Sequence, residues 1–289
     1  MRLNGLLMGF VWNFNGVYIR YFSSKLSVLQ KFVSNRERNF VVKPSPNNMK
    51  LRKSSDRGYV HQGWLESYHS FSFTGYYEPA YMHYSVLRVI NEDVLEPAQG
   101  FDMHPHKNME IITYMLQGEL RHEDSLGNSS VIGAGDVQCM TAGTGVVHSE
   151  VNASSANAVH LLQIWIFPER KSLVPGYCEK HFTELEKQNR WCLIVSNDGR
   201  AESLKINQDI SLYSTFLSEG EVLEYALSEQ RSVYIQLASG VIEVCGQRLG
   251  AGDAIMADGA KSLTVKAISS SEVLLFDLPV HHSVDIMQQ

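Results

Sequence analysis

The chain has 289 residues, of which 44% are apolar and 19% are charged, a composition typical of globular proteins and not of disordered ones. Its length is sufficient for two ordinary domains. The formal net charge of −6 gives no basic surface of the kind that nucleic acid requires, so we expect no direct nucleic-acid binding. No apolar run approaches the roughly 20 residues of a membrane-spanning helix, so we expect no membrane attachment.

The first 48 residues differ in charge from the rest of the chain. They contain seven basic residues and one acidic residue, a balance of +6 that leaves −12 for the remainder. The apolar run at residues 6–12 partly resembles a signal peptide, and the scarcity of acids partly resembles a transit peptide. Residues 44–48 have the composition of a linker, and a regular domain pattern starts at Met49. We therefore interpret residues 1–48 as a dispensable tail or the product of an upstream start codon.

From Met49 onward the pattern is that of closely spaced short strands bounded by Gly, Asn and Ser. Clear examples are residues 84–89, 111–116, 161–167, 233–237 and 273–276. Residues 179–190 form the one short helix candidate. This pattern predicts an all-β sandwich or barrel.

Two segments of the chain match each other. The sequence Gly-Ala-Gly-Asp at residues 133–136 recurs at residues 250–253. Each copy follows a strand, a glycine (Gly118 or Gly240) and a second strand, and each leads to an apolar strand that ends in proline. We read this as an internal duplication, and we expect one barrel over residues 49–180 and another over residues 181–289.

The first copy contains two pairs of residues with metal-ligand chemistry, His104 with His106 and His148 with Glu150. Side chains two positions apart on a strand share a face. If the two strands face each other across a barrel interior, the four groups converge. Three imidazoles and one carboxylate suit iron, nickel, copper, manganese or zinc.

Neighbouring residues favour the same geometry. Pro105 has no N–H and belongs on an edge strand, while Gly143 and Gly145 permit a tight turn before His148. Asp136 is expected to support a turn and not the metal. In the second copy, the positions equivalent to His104 and His106 are Ala226 and Ser228, so a metal-free second barrel is expected.

These motifs resemble those of the cupin superfamily. Its first motif, H-x-H-x3-E, is met by His104, His106 and Glu110, and its second is met by Gly143, Gly145, His148 and Asn152, with Gly in place of Pro. More specifically, the chain resembles the pirin family, close to the bacterial pirin-like quercetin 2,3-dioxygenases. The similar stretches are residues 57–58, 63–73, 87–93, 104–110, 142–145, 148–150, 163–166 and 272–279. The resemblance covers about residues 49–280.

The resemblance implies a bicupin, with two tandem double-stranded β-helix (jelly-roll) barrels. It implies that His104, His106, His148 and Glu150 hold one divalent ion, Fe(II) being favoured over Ni, Mn, Cu, Co or Zn. It also implies that Glu110 is a nearby supporting carboxylate and not a ligand.

The resemblance further implies cleavage of a flavonol such as quercetin with O2 by a cytoplasmic, monomeric enzyme. In that reaction Glu150 would act as the catalytic base. The four cysteines lack a C-x-x-C pair, which also fits a reducing cytosol. Apolar side chains that either line a flavonol pocket or belong to the ordinary core are Phe73, Met82, Phe101, Met115, Met140 and Trp165.

Two other functions stay open. The chain is alternatively a non-enzymatic, iron-dependent pirin whose redox state alters the binding of a protein partner. A cupin isomerase or storage protein is a third reading, which the specific pirin-like stretches disfavour.

Overall fold

The computed structural model describes residues 49–228 and 230–280, and the backbone of one short strand pair, β1 (Asn13–Phe14) and β2 (Val17–Tyr18). Apart from this strand pair, residues 1–48 are not among the described residues, and their interpretation as a tail therefore lies outside the described part of the chain. Among the described residues, no helix is long and apolar enough to cross a membrane.

The first half of the described chain forms two antiparallel sheets. Its strands are β4 (Gly58–His61), β5 (Leu65–His69), β6 (Leu87–Leu95), β7 (Gly100–His106), β8 (Glu110–Gln117), β9 (Glu119–Asp124), β10 (Ser129–Gly133), β11 (Asp136–Thr141), β12 (Val146–Asn152), β13 (Val159–Ile166) and β14 (Gly176–His181). A seven-stranded sheet has the order β14-β11-β8-β13-β6-β5-β4, and a four-stranded sheet has the order β10-β9-β12-β7. Residues on the inner faces of the two sheets form the interior of the first barrel.

The second half repeats this arrangement. Its strands are β15 (Cys192–Ser196), β16 (Leu204–Lys205), β17 (Ser211–Leu217), β18 (Val222–Ala226), β19 (Arg231–Ser239), β20 (Val241–Val244), β21 (Gln247–Gly250), β22 (Ala254–Asp258), β23 (Ser262–Ala267) and β24 (Ser271–Pro279). The four-stranded sheet is β18-β23-β20-β21, and the larger sheet is completed by β3 (Met49–Arg52), in the order β16-β15-β17-β24-β19-β22-β3. The all-β, two-barrel prediction is confirmed.

The strand β3 crosses from one half of the molecule to the other. It precedes the first barrel in sequence but pairs with β22 of the second, Leu51 lying opposite Ile255. The boundaries predicted at residues 49, 180 and 181 stay a prediction, and β3 shows that contacts cross them.

The two halves share their turn chemistry as well as their strand order. In the first copy, the Asp136 carboxylate accepts a hydrogen bond from the Gly133 N–H at 2.6 Å. In the second, the Asp253 carboxylate accepts one from the Gly250 N–H at 3.0 Å. Each aspartate satisfies a backbone donor of its own turn, as expected for Asp136.

The predicted helix at residues 179–190 is mostly wrong. The only α-helix in the described chain is α1 (Glu184–Lys187), which begins with a capping box between Thr183 and Glu186. Residues up to His181 instead pair with β11 as part of β14. Pairing with a neighbouring strand therefore overrides the local helical pattern.

A continuous apolar core joins the two barrels. Residues 112 and 114 of β8 point out of the first barrel and pack in one cluster with Tyr234 and Phe276 of the second. Burial of each such side chain contributes about 1.5–3 kcal/mol. The alternate residues of β8, including Thr113, therefore face the interior of the first barrel.

Candidate metal centre

The predicted ligand strands β7 and β12 are hydrogen-bonded neighbours in the four-stranded sheet. They therefore do not face each other across the barrel, the condition under which the four groups were said to converge. His148 lies directly opposite His104, and Val146 lies opposite His106. Directly opposite side chains of an antiparallel pair have Cβ atoms about 4.5–5.5 Å apart, so adjacent strands bring the histidines together more closely than facing sheets would.

The three histidines form one cluster. The ligand atoms of His104, His106 and His148 lie within 4.8 Å of one another. Their ring centroids are 4.4 Å apart between His104 and His148, and 4.8 Å apart in the other two pairs. Three imidazoles at this spacing can hold a divalent metal ion.

A bulge in β7 sets the orientation of His104. Two steps along β12, from His148 to Glu150, correspond to three steps along β7, from His104 to Phe101. Within this bulge, the Nδ1 of His104 lies 2.7 Å from the Asp102 carbonyl oxygen. In a neutral ring Nδ1–H donates to that oxygen, which leaves the Nε2 lone pair free for a metal. Pro105 lies on the edge strand, as predicted.

The surroundings of His148 and His106 fit a metal ion. His148 is 1% exposed, and neither of its ring nitrogens has a hydrogen-bond partner among the described residues. Burial, followed by the neighbouring histidines, lowers the pKa of His148 to about 3 and that of His106 to about 4. Both rings are therefore neutral near pH 7, the form that donates a lone pair to a metal.

Glu150 lies beside the cluster and is fixed by two donors. Its side chain is 3% exposed, Oε1 accepts from the Thr113 hydroxyl at 3.1 Å, and Oε2 accepts from the Gln163 amide at 2.7 Å. Its ligand atoms group with those of His148 and His122. The structure thus brings three predicted ligands together and places the fourth next to one of them.

His122 is a neighbour of the site that the sequence analysis missed. It lies opposite Glu150 on β9, and its ring centroid is 5.3 Å from that of His148. Its Nε2 is 3.2 Å from Asp124 Oδ2 and its Nδ1 is 3.2 Å from the Gln138 amide nitrogen. Since both nitrogens are engaged, His122 is less suited to bind a metal than His148.

The position of Glu110 corrects an expectation. Its carboxylate accepts hydrogen bonds from the Thr141 hydroxyl at 2.8 Å and from the backbone and side-chain nitrogens of Asn207, both at 3.3 Å. Glu110 and Thr113 are three positions apart on β8 and therefore lie on opposite faces. Because Thr113 contacts Glu150, Glu110 faces the junction between the barrels and does not support the metal cluster.

The residues that hold Glu150 could not be found by motif, because Thr113 and Gln163 lie on the other sheet. Asp93 was also missed. It is 3% exposed and accepts a hydrogen bond from Ser67, and burial raises its pKa to about 7. The available signal was alternation for Thr113 and Gln163, which lie at inward positions of largely apolar strands. It is weaker for Asp93, whose strand also carries Arg88, Asn91 and Glu92.

Aromatic side chains flank the histidines. The Trp165 ring is 5.0 Å from that of His106, and the Phe101 ring is 6.2 Å from that of His104. Phe73 packs edge-on against Trp165 at 5.3 Å. Of the remaining pocket candidates, Met115 and Met140 are fully buried in apolar clusters and Met82 is 36% exposed. Trp165 and Phe101 are therefore the candidates closest to the site.

The equivalent space in the second barrel has a different lining. Apolar side chains from β19, β20, β22 and β23 pack together there, among them Ile235, Ile242, Ile255 and Leu263. Ala226, which replaces His104, lies at the end of β18. The expectation of a metal-free second barrel remains a prediction.

Two tandem barrels, with a divalent-metal site in the first, define the chain as a bicupin. Residues 50–166 match the family model described as Pirin, and residues 193–278 match the one described as Quercetinase C-terminal cupin domain.

Individual proteins agree with these matches. The quercetin 2,3-dioxygenase of Escherichia coli K12 is 44% identical over 79% of this chain and 98% of its own length. A pirin-like protein from Caulobacter vibrioides is 38% identical over 78% of this chain and 98% of its own. The crystal structure of the E. coli bacterial pirin YhhW with nickel(II) covers 80% of this chain and 99% of its own, with 44% identity and a TM-score of 0.77. The chain belongs to the pirin family.

Proposed function

We propose that the protein is a quercetin 2,3-dioxygenase, which cleaves flavonols with O2. The observation that carries the proposal is 44% identity to the E. coli enzyme of that name over 98% of its length. The histidine cluster lies within residues 50–166, which match the Pirin family model.

The metal is bound, in this proposal, by His104, His106, His148 and Glu150. The unpartnered nitrogens of the buried His148 and the hydrogen bond that orients His104 support this set. Glu150 completes it as a buried carboxylate that lies beside His148. We propose Fe(II) as the native ion. The nickel(II) complex of the similar E. coli pirin supports a site that also accepts other late first-row ions.

A divalent ion held by His104, His106, His148 and Glu150 would supply Lewis-acid chemistry, which would lower the pKa of the flavonol 3-hydroxyl. Glu150 then takes the proton of that hydroxyl, since its carboxylate lies at the site and is held by Thr113 and Gln163. Trp165 and Phe101 provide apolar walls for a flat aromatic ring. Dioxygen adds to the activated ring, which opens with loss of carbon monoxide.

The proposal is tested by O2 uptake and carbon monoxide release with quercetin. The purified protein is stripped with a chelator and reloaded in parallel with Fe(II), Ni(II), Mn(II), Cu(II), Co(II) or Zn(II). We expect turnover with at least one ion, Fe(II) foremost, and none in the stripped protein. Full metal occupancy without turnover of any flavonol would reject the dioxygenase and favour the non-enzymatic pirin. Turnover without metal would contradict both.

A further inference from the structure

Two cysteines lie side by side on neighbouring strands, away from the histidine cluster. Cys139 of β11 is directly opposite Cys178 of β14 in an antiparallel pair. Directly opposite residues have Cα atoms about 4.5 or 5.5 Å apart, depending on the type of pair. Both values fall within the Cα separation of about 4.4–6.8 Å that disulfides span. By the separation of their Cα atoms, the two residues are therefore placed to form a disulfide.

The two side chains also point the same way. Residues directly opposite on an antiparallel pair project from the same face of the sheet. Consistent with this, Cys139 belongs to the apolar cluster between the barrels and Cys178 packs against that cluster. All four cysteines of the chain are free thiols in this structure.

We propose that Cys139 and Cys178 form a hydroperoxide-sensitive dithiol that closes reversibly into a disulfide. Their positions suit two different roles. Cys139 is 2% exposed, whereas Cys178 is partly exposed on β14, the edge strand of its sheet. A small oxidant therefore reaches Cys178 first, and the buried Cys139 directly opposite it is the resolving thiol.

The environment of each sulfur agrees with these roles. A hydrogen bond from Cys139 lowers the pKa of the Cys178 thiol, with a further contribution from the Lys205 backbone. Burial raises the pKa of Cys139. Since the thiolate is the reactive form, Cys178 is the favoured nucleophile.

The chemistry takes place in two steps. The Cys178 thiolate attacks a hydroperoxide, the O–O bond breaks, and Cys178 becomes a sulfenic acid as the peroxide is reduced to hydroxide or alkoxide. The Cys139 sulfur then attacks the Cys178 sulfur. A disulfide forms, and hydroxide leaves with the Cys139 proton as water. Reduction by a small dithiol reverses the change.

The test is to map the thiols of the full-length, reduced protein after treatment with a few equivalents of hydrogen peroxide. Remaining thiols are blocked with N-ethylmaleimide in denaturant, and the protein is digested without reductant for mass spectrometry. We expect a peptide pair linked through Cys139 and Cys178, formed in parallel with the loss of labelling at both residues. Dithiothreitol should restore the labelling.

Matched variants complete the test. Cys178→Ser should leave Cys139 fully labelled, and Cys192→Ser, which alters a partly buried cysteine at the same junction, should leave the linkage unchanged. If Cys178→Ser does not fold, Cys178→Ala serves instead, and the wild-type mapping needs no variant. Oxidation of Cys178 to sulfinic acid with Cys139 still reduced would overturn the proposal, as would links only between chains. Because the readout is thiol labelling, its outcome is independent of the dioxygenase proposal.

Discussion

Residues that are distant in sequence hold the Glu150 side chain in position. Thr113 and Gln163 belong to β8 and β13 of the large sheet, whereas Glu150 belongs to the small one. Their two hydrogen bonds hold the carboxylate inside a barrel where an unpaired charge would be costly. The same bonds keep it beside His148, where the proposed proton transfer requires it.

Substitutions of Glu150 and of His106 should have different effects on metal content and on turnover. Glu150→Gln retains an oxygen ligand and a similar shape but loses the base, so we expect most of the metal to remain and turnover to fall by roughly 100- to 10,000-fold. His106→Ala removes a ligand, and we expect it to lose stoichiometric metal. Elemental analysis and quercetin turnover measure both. Glu123→Gln, on the exposed face of β9, is the control. Full occupancy in His106→Ala would refute the ligand assignment.

His69 provides a pH dependence of stability that is separate from the metal cluster. It is 3% exposed, its Nδ1 lacks a partner among the described residues, and burial lowers its pKa from 6.5 to about 4. Because the folded pKa lies below the unfolded value, the stabilisation present above pH 6.5 is lost as the pH falls through about 4.

We expect His69→Phe to flatten the decline in unfolding free energy between pH 6.5 and pH 4. The contribution should be on the order of 3 kcal/mol, since the pKa falls from 6.5 to about 4 and one pKa unit corresponds to about 1.4 kcal/mol. Urea titrations of metal-free protein across this range measure it. The exposed His61→Gln is the control and should keep the wild-type slope. An unchanged slope in His69→Phe would contradict this account of His69.

At the scale of elements, the contact between β7 and β12 determines whether the histidines meet. Gly100, at the start of β7, packs directly on β12. A Cβ added there would lie 2.2 Å from the Glu150 carbonyl oxygen and 2.5 Å from the Val151 Cα. These are backbone atoms, so only a shift of one strand could relieve the overlap.

Gly100→Ala should therefore move β7 away from β12 and separate His104 and His106 from His148. We expect a loss of about 1–3 kcal/mol in stability and at least tenfold weaker metal binding. Thermal unfolding and metal titration measure the two effects. Gly75→Ala, where an added Cβ meets nothing within 4 Å, should change neither. Normal metal affinity in Gly100→Ala would show that the spacing of these strands is not limiting.

Elements with a strong local pattern were predictable, and elements defined by distant partners were not. The turn at Gly143 and the repeated Gly-Ala-Gly-Asp turn each form within a few residues, and the structure has both turns. The H-x-H pair is also local, and its two rings lie in one cluster with His148, while their role as metal ligands stays a prediction. The adjacency of β7 and β12 is a property of sheet order, which spacing along the chain does not encode. The pairing of β3 with β22 is likewise not encoded by spacing along the chain. Nor is the environment of Glu110, whose partners Thr141 and Asn207 are distant in sequence.

For the molecule as a whole, a buried polar network joins the two barrels. The Tyr114 hydroxyl donates to Glu272 at 2.5 Å, lies 2.7 Å from the Ser214 hydroxyl, and accepts from Lys187 at 3.3 Å. Lys187 is 1% exposed and its Nζ is 3.9 Å from Glu272. Since a buried charge is stable only when partnered, this hydroxyl holds the network together.

Tyr114→Phe should remove these bonds and destabilise the protein by about 1–3 kcal/mol, because Glu272 and Lys187 lose a shared partner. Tyr225→Phe, which loses a hydrogen bond to Asp277 within the second barrel, is the comparison for this variant.

We expect one cooperative transition in calorimetry for the wild type, since the apolar cluster spans both barrels. Two separate transitions in the wild type would contradict a shared core.

The assignment of the metal to the first barrel is tested most directly by anomalous diffraction from crystals of the metal-loaded protein at the absorption edge of the ion. We predict one peak, about 2.0–2.2 Å from His104, His106, His148 and Glu150, and none in the second barrel. A peak coordinated by His122 in place of His104 and His106, or one in the second barrel, would contradict the account.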